Sequence, residues 1–308
     1  LPDTELSLTA VGPENRADFV REIQFAADHD ADYIAASFIQ SSDDINRMRV
    51  ILAEMKIDIP IIDKIENKAG VDKMEDIIAA ADGMMVARGD LGVELPFGEV
   101  PGTRKKMIRN TVMAGKPVIT ATQMLASMER NPRPTRAEAS DVANAILDGS
   151  SAIMLSGETA AGKSPGDSVR TMHSLALTTE DCLAEYGYLQ KIPFHSTNVV
   201  TEVISGAVNG MARDLGAVAI ISLSETGFTS RMISKHRPEC PILTVSGSER
   251  VARRLSMNWG VEAVLYDGEP GDTAKIEFAT RCVLEKGFAS RGDAVILTAG
   301  HTLSLIHI

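Results

Sequence analysis

The chain has 308 residues, 44% of them apolar and 24% charged, with a formal net charge of −11. That composition excludes a disordered polymer, and without a basic stripe it excludes a nucleic-acid surface. No apolar run approaches the roughly 20 residues a membrane helix needs, and no signal-peptide pattern opens the chain, so no membrane is expected and the cytoplasm is the default location.

The length suits two ordinary domains, each with its own core. In chain order, β-rich apolar runs at Tyr33 to Ile39, Ile59 to Ile65, Gly83 to Ala87, Pro117 to Thr122 and Ser151 to Leu155 read as strands. Helical patterns follow them at Asp43 to Met55, Gly70 to Ala80, Gly102 to Ala114, Thr135 to Leu147 and Asp167 to Cys182. The strands are apolar on both faces, as in a parallel sheet covered by crossover helices. Each strand ends in polar residues: Ser37, then Lys64 and Glu66, then Arg88 and Asp90, then Thr122, then Ser156 and Glu158. Five such ends in succession point to one shared site at the C-terminal mouth of a (β/α) barrel. A closed barrel of this type takes eight strands and five are counted, so an N-terminal truncation is expected, giving a partial TIM barrel over residues 1–183.

Residues 184–200 read as a helix tail and linker. A second, smaller α/β domain with a parallel sheet is expected over 201–302. Its helices are Glu202 to Asp214, Thr229 to His236, Ser248 to Asn258 and Thr273 to Glu285; its strands are Ala217 to Leu223, Pro241 to Val245, Val261 to Leu265 and Ala294 to Thr298. Three cysteines (Cys182, Cys240, Cys282) have no zinc or redox spacing and read as small buried hydrophobes.

Lys64 and Glu66, two apart on a strand, point to the same face. Such a pair is commonly a structural ion pair, but here it lies where a barrel opens to solvent, and the next strand ends in Arg88-Gly89-Asp90-Leu91-Gly92. Glu66 and Asp90 suit one magnesium ion, which takes one or two carboxylates and fills its remaining positions with water and substrate oxygens. Gly89 and Gly92 let backbone N–H groups approach an anion, although turn geometry alone also calls for glycine. A Thr122 hydroxyl there suits proton relay, and on its own it is an ordinary β residue. Ala160-Ala161-Gly162-Lys163-Ser164 lacks the first glycine and the strand context of a P-loop, so Walker chemistry is excluded.

In order and spacing, Lys64-Ile65-Glu66-Asn67, Met85-Val86-Ala87-Arg88-Gly89-Asp90-Leu91-Gly92-Val93-Glu94, Ile119-Thr120-Ala121-Thr122-Gln123-Met124-Leu125, Pro132-Arg133-Pro134-Thr135-Arg136-Ala137-Glu138 and Met154-Leu155-Ser156-Gly157-Glu158-Thr159-Ala160 resemble the pyruvate kinase family. The resemblance covers nearly the whole chain. It implies phosphoryl transfer from phosphoenolpyruvate to ADP, giving pyruvate and ATP. Lys64 would stabilise the phosphoryl group in flight, Glu66 and Asp90 would ligate Mg2+ (or Mn2+), and Thr122 would lie in the proton path to the enolate carbon. Ala87, Arg88, Gly89, Asp90 and Thr122 would line the substrate with Ser37 and Phe38, the amides at Gly89 and Asp90 taking its carboxylate; Ser156 and Glu158 are candidate relay residues. Gln40 and Ser41 stand where many members carry a basic pair.

The resemblance also implies K+, with its ligands in regions this chain lacks, and a homotetramer at full length, built partly on the helix after Arg136. Ser224, Thr226, Gly227, Thr229 and Ser230 match the family's effector loop for a phosphorylated ligand, with Glu225 adding an opposing negative charge. The chain alone is expected to be inactive, and residues 303–308 read as a non-native tail. A magnesium-dependent aldolase or lyase barrel is disfavoured by Lys64 beside Glu66 and by the Thr122 strand, and a noncatalytic module by the intact set.

Overall fold

The computed structural model describes residues 12, 15–186 and 199–299. It divides into two compact units, Leu1–Tyr188 and Leu189–Ile308. Most of the expected linker and all of the expected tail at 303–308 lie outside the described residues.

Unit 1 opens with α1 (Arg16–Asp28), a helix absent from the sequence reading because its apolar stripe is short and only Ile23 on it is buried. Then come β1 (Ile34–Ala36), α2 (Ser42–Glu54), β2 (Ile61–Ile65), α3 (Lys68–Asp72), α4 (Met74–Ala80), β3 (Gly83–Ala87), α5 (Arg88–Glu94) and α6 (Val100–Met113). The unit continues through β4 (Val118–Ala121), a 3-10 turn at Ala126–Glu129, α7 (Arg136–Leu147), β5 (Ala152–Ile153), α8 (Gly157–Ala160), α9 (Pro165–Glu180) and α10 (Leu183–Tyr186). The five strands form one all-parallel sheet in sequential order, as βαβ chaining requires.

Register sorts the side chains. Lys64 pairs with Met85 and Met85 with Ile119, so these share one face; Asp63, Met84 and Val118 share the other. The second face is the helix-covered one, because the Thr111 hydroxyl of α6 lies 3.4 Å from the Met84 sulfur. Fully buried Ile77, Met107 and Ile108 cover it, each contributing about 1.5–3 kcal/mol by leaving water. Four of the five strands are shorter than their apolar runs, β3 alone matching, and for β1 and β4 the backbone shows why. Phe38 (φ 60°), Thr122 (φ 67°) and Gln123 (φ 52°) adopt left-handed backbone, which ends β1 and β4 early. The α7 start is fixed by Glu138, whose carboxylate accepts from Ser127 and Thr135. Burial pushes that carboxyl up, but these hydrogen bonds outweigh it and hold the group below its usual value.

Unit 2 comprises α11 (Val199–Asp214), β6 (Ala219–Leu223), α12 (Phe228–Lys235), β7 (Ile242–Ser246), α13 (Glu249–Leu255), β8 (Val261–Leu265), α14 (Asp272–Glu285) and β9 (Val295–Ala299). Its parallel sheet has the order β8-β7-β6-β9. Ile220, Ile242 and Ile296 meet α11 and α12 on one face, while Ile221, Leu243 and Val245 meet α14 on the other. The first layer also holds a Glu202–Lys235 ion pair, 2.9 Å and almost fully buried. Only one of the three cysteines is a buried hydrophobe: Cys282 is buried, Cys240 half-buried and Cys182 exposed at the end of α9.

Asp63 is the anomaly of the helix-covered face. It is fully buried, and neither carboxylate oxygen has a hydrogen-bond partner. Desolvation pushes its pKa from 3.8 up to about 8, with the Lys116 charge pulling partly back. The folded chain therefore keeps a proton there that the unfolded chain releases near pH 4. That contribution to stability is full below about pH 4 and is lost progressively as pH rises to about 8. Between about pH 5 and pH 8 the parent should lose melting temperature more steeply than Asp63→Asn. Parallel thermal-denaturation curves for the two would contradict the assignment.

Candidate active site

The polar ends of β1 and β2 come together in one hydrogen-bonded cluster. The Lys64 ammonium lies 2.8 Å from Glu66 Oε1 and donates to Ser37 Oγ at 2.8 Å. The second Glu66 oxygen accepts the Phe38 amide at 2.8 Å. Glu66 is only 2% exposed, and a carboxylate buried this deeply needs a donor at each oxygen, which Lys64 and the Phe38 amide supply. The left-handed Phe38 aims its amide at Glu66 while its ring projects outward, 60% exposed.

Two features pin this cluster from below. Asn67 caps α3 by accepting the Gly70 amide at 2.8 Å, and an added Cβ on Gly70 would stand 2.6 Å from the Ile39 carbonyl oxygen. Gly70 therefore lets the chain after Phe38 pass against α3. In the next segment, Asp44 of α2 accepts the amides of Gln40 and Ser41 at 3.0 and 3.1 Å. Their backbone thus serves the α2 start, where the family resemblance leads one to look for a basic pair.

A second cluster joins the ends of β3 and β4. The Gly89 amide donates to Thr122 Oγ1 at 3.0 Å. Arg88 Nε donates to the Ala121 carbonyl at 3.3 Å, and its terminal nitrogens reach the Thr122 carbonyl and Asp141. The Arg88 side chain, 11% exposed, is therefore spent on protein contacts, so at this position only backbone is left for a ligand. Left-handed backbone at Thr122 and Gln123 costs about 1–3 kcal/mol per residue, and the donors to the Ala121 and Thr122 carbonyls and to the Thr122 hydroxyl offset it. Asp90 is exposed in the first turn of α5, Gly89 is half-buried and Ala87 is buried at the strand end. The first N–H groups of α5 have no acceptor within the helix.

The remaining expected residues divide. Glu158 is buried and accepts the amides of Leu125 and Ser156 at 2.9 and 2.8 Å, so it braces the exit of β4 against that of β5. In unit 2, Thr226 accepts the Phe228 amide at 3.4 Å, and Gly227 takes φ 75° ahead of α12. Ser224 is buried, and Thr229 half-buried in the first turn. Ser230 turns inward, donating to Ser222 and accepting from Thr244. Glu225 is engaged by Lys275 at 2.5 Å. A cavity of about 580 Å³ beside β1 is bounded by Ser37, Phe38 and Tyr33 and by Phe19 and Ile23 of α1, the helix missing from the sequence reading.

Residues 1–169 match the family model described as pyruvate kinase, barrel domain. The chain belongs to the pyruvate kinase family. Residues 202–305 match the pyruvate kinase alpha/beta domain, so the partial-barrel and second-domain expectations stand. The chain is 44% identical over 301 residues to a pyruvate kinase of Geobacillus stearothermophilus and over 303 residues to one of Staphylococcus aureus. Each alignment covers 97% of this chain and 51% of the relative, so the chain spans about half the length of the pyruvate kinases it matches. Among the described residues no helix is long and apolar enough to cross a membrane.

Among the described residues no group of three or more His, Cys, Asp or Glu side chains is gathered for a metal ion. Glu66 and Asp90, at the ends of the neighbouring strands β2 and β3, offer carboxylates without imidazole or thiolate, the donor type that Mg2+ and Mn2+ take. Gly70→Ala should cost several degrees of melting temperature and disturb Lys64 with it, since the Ile39 carbonyl must move. A variant that melts with the parent would show that this segment is loosely held.

Proposed function

We propose that this chain carries the phosphoryl-transfer residues of a pyruvate kinase, which moves a phosphoryl group from phosphoenolpyruvate to ADP and yields pyruvate and ATP. The observation that carries the reading is the Lys64 ammonium, held between Ser37 and a nearly buried Glu66 on the face opposite the helices. Phosphoryl transfer asks for positioned positive charge more than for covalent help, and a lysine held on two sides supplies it without reorganising.

In this reading Glu66 and Asp90 hold Mg2+ (or Mn2+), which when bound neutralises charge on the substrate oxygens. The Gly89 and Asp90 amides at the start of α5 receive the substrate carboxylate, the first of them shared with the Thr122 hydroxyl, Ser37 and Phe38 line the pocket, and that hydroxyl lies on the proton path to the enolate carbon. Potassium enters at the level of the family, with no residue here assigned to it. A cytoplasmic location and a tetramer at full length belong to the same proposal. So does a phosphorylated effector at Ser224, Thr226, Gly227 and Thr229, whose ligand must contend with the Glu225–Lys275 pair.

In a full-length protein carrying this chain, Lys64→Met should leave phosphoenolpyruvate binding partly intact while lowering turnover by at least roughly 100- to 1,000-fold. Glu66→Gln and Asp90→Asn should in addition raise the magnesium concentration needed for half activity. Titrating metal in a coupled pyruvate assay separates the two classes. A Lys64→Met enzyme altered only in its magnesium midpoint, or carboxylate variants titrating like the parent, would reverse the roles.

A further inference from the structure

Thr122 and Gln123 are consecutive non-glycine residues in left-handed backbone, and Thr122 is β-branched. Such a conformation persists only where its surroundings over-determine it. Arg88 does so here. Its guanidinium donates to the Ala121 and Thr122 carbonyls and lies 2.8 Å from the Met124 sulfur, while the amide of the following residue, Gly89, donates to the Thr122 hydroxyl. A buried guanidinium in turn needs a counter-charge. Asp141 of α7 supplies it, one oxygen engaging Arg88 and the other accepting from Arg104 at 2.8 Å. Arg104 is itself fixed at 2.9 Å to Asp148, whose other oxygen engages Lys105. The chain of charges thus runs from Asp148 through Arg104 and Asp141 to Arg88, and ends on the backbone of Thr122.

We infer that Asp141 is a positioning residue for Thr122, acting through Arg88: it fixes the guanidinium that holds the left-handed turn and so sets where the Thr122 hydroxyl points. This rests on the proposed function for its catalytic consequence, while the positioning stands on the geometry alone. Loss of Asp141 leaves Arg88 without its carboxylate partner, free to leave the two carbonyls. The cost should fall on the Thr122 step and spare the Lys64 cluster, whose hydrogen bonds run through β1 and β2.

Two measurements test it. In the chain as it stands, amide hydrogen exchange of Asp141→Asn should quicken by ~10-fold at Gly89 and across 121–124 and stay unchanged across 61–66. Asp148→Asn, which leaves Arg104 with Asp141 as its remaining carboxylate and keeps Arg88 paired, should lower melting temperature without quickening Gly89. Gly89 exchange unchanged in Asp141→Asn, or quickened equally in Asp148→Asn, would overturn the inference. In a full-length protein, the ratio of solvent-proton exchange into pyruvate to phosphoryl transfer should fall by ~10-fold in Asp141→Asn, as in Thr122→Ala, and recover in Asp141→Glu. An equal fall in both reactions would reduce Asp141 to a structural role. If the full-length parent makes no pyruvate, the functional reading fails, and the exchange result alone decides the positioning.

Discussion

Each oxygen of a carboxylate buried to 2% exposure needs a hydrogen-bond donor, and the site is organised around meeting that demand for Glu66. Lys64 answers one oxygen and the Phe38 amide the other. Beside that donor, Phe38 turns left-handed, which ends β1 and redirects the chain toward α2, while Ser37 accepts from the lysine. The lysine thereby loses its rotamer freedom before any ligand arrives. For a long flexible side chain that entropy is about 1.5–2 kcal/mol, already spent when the substrate binds.

The unit-1 mouth is thus two small hydrogen-bonded assemblies side by side. One gathers charge at β1 and β2. The other, at β3 and β4, uses an arginine as an internal brace and joins the Gly89 amide to the Thr122 hydroxyl. In the proposed function, that separation corresponds to the division between moving a phosphoryl group and moving a proton.

Much of this was legible in the sequence because it depends on period and order. Residues two apart on a strand share a face, so Lys64 and Glu66 could be paired on sight, and five polar strand ends in parallel order implied one mouth. What was not legible is conformational or long-range. Nothing about Phe38, Thr122 or Gln123 as residue types announces positive φ, since the tendency belongs to glycine and asparagine. The partners of Arg88 were hidden for a related reason: only the fold brings Asp141, 53 residues away, to its guanidinium. Ser230 was matched to the effector segment at the start of an expected helix, and only the fold shows its hydroxyl in a buried network with Ser222 and Thr244. Helix α1 escaped because it buries a single large side chain.

The unequal burial of the three cysteines has a practical side. Burial raises the pKa values of the Cys240 and Cys282 thiols, so near neutral pH both remain in the weakly reactive protonated form. Cys182 stands exposed where α9 ends. A maleimide dye added at low stoichiometry will therefore collect on that one position, giving a native fluorescent marker on unit 1 without removing any cysteine.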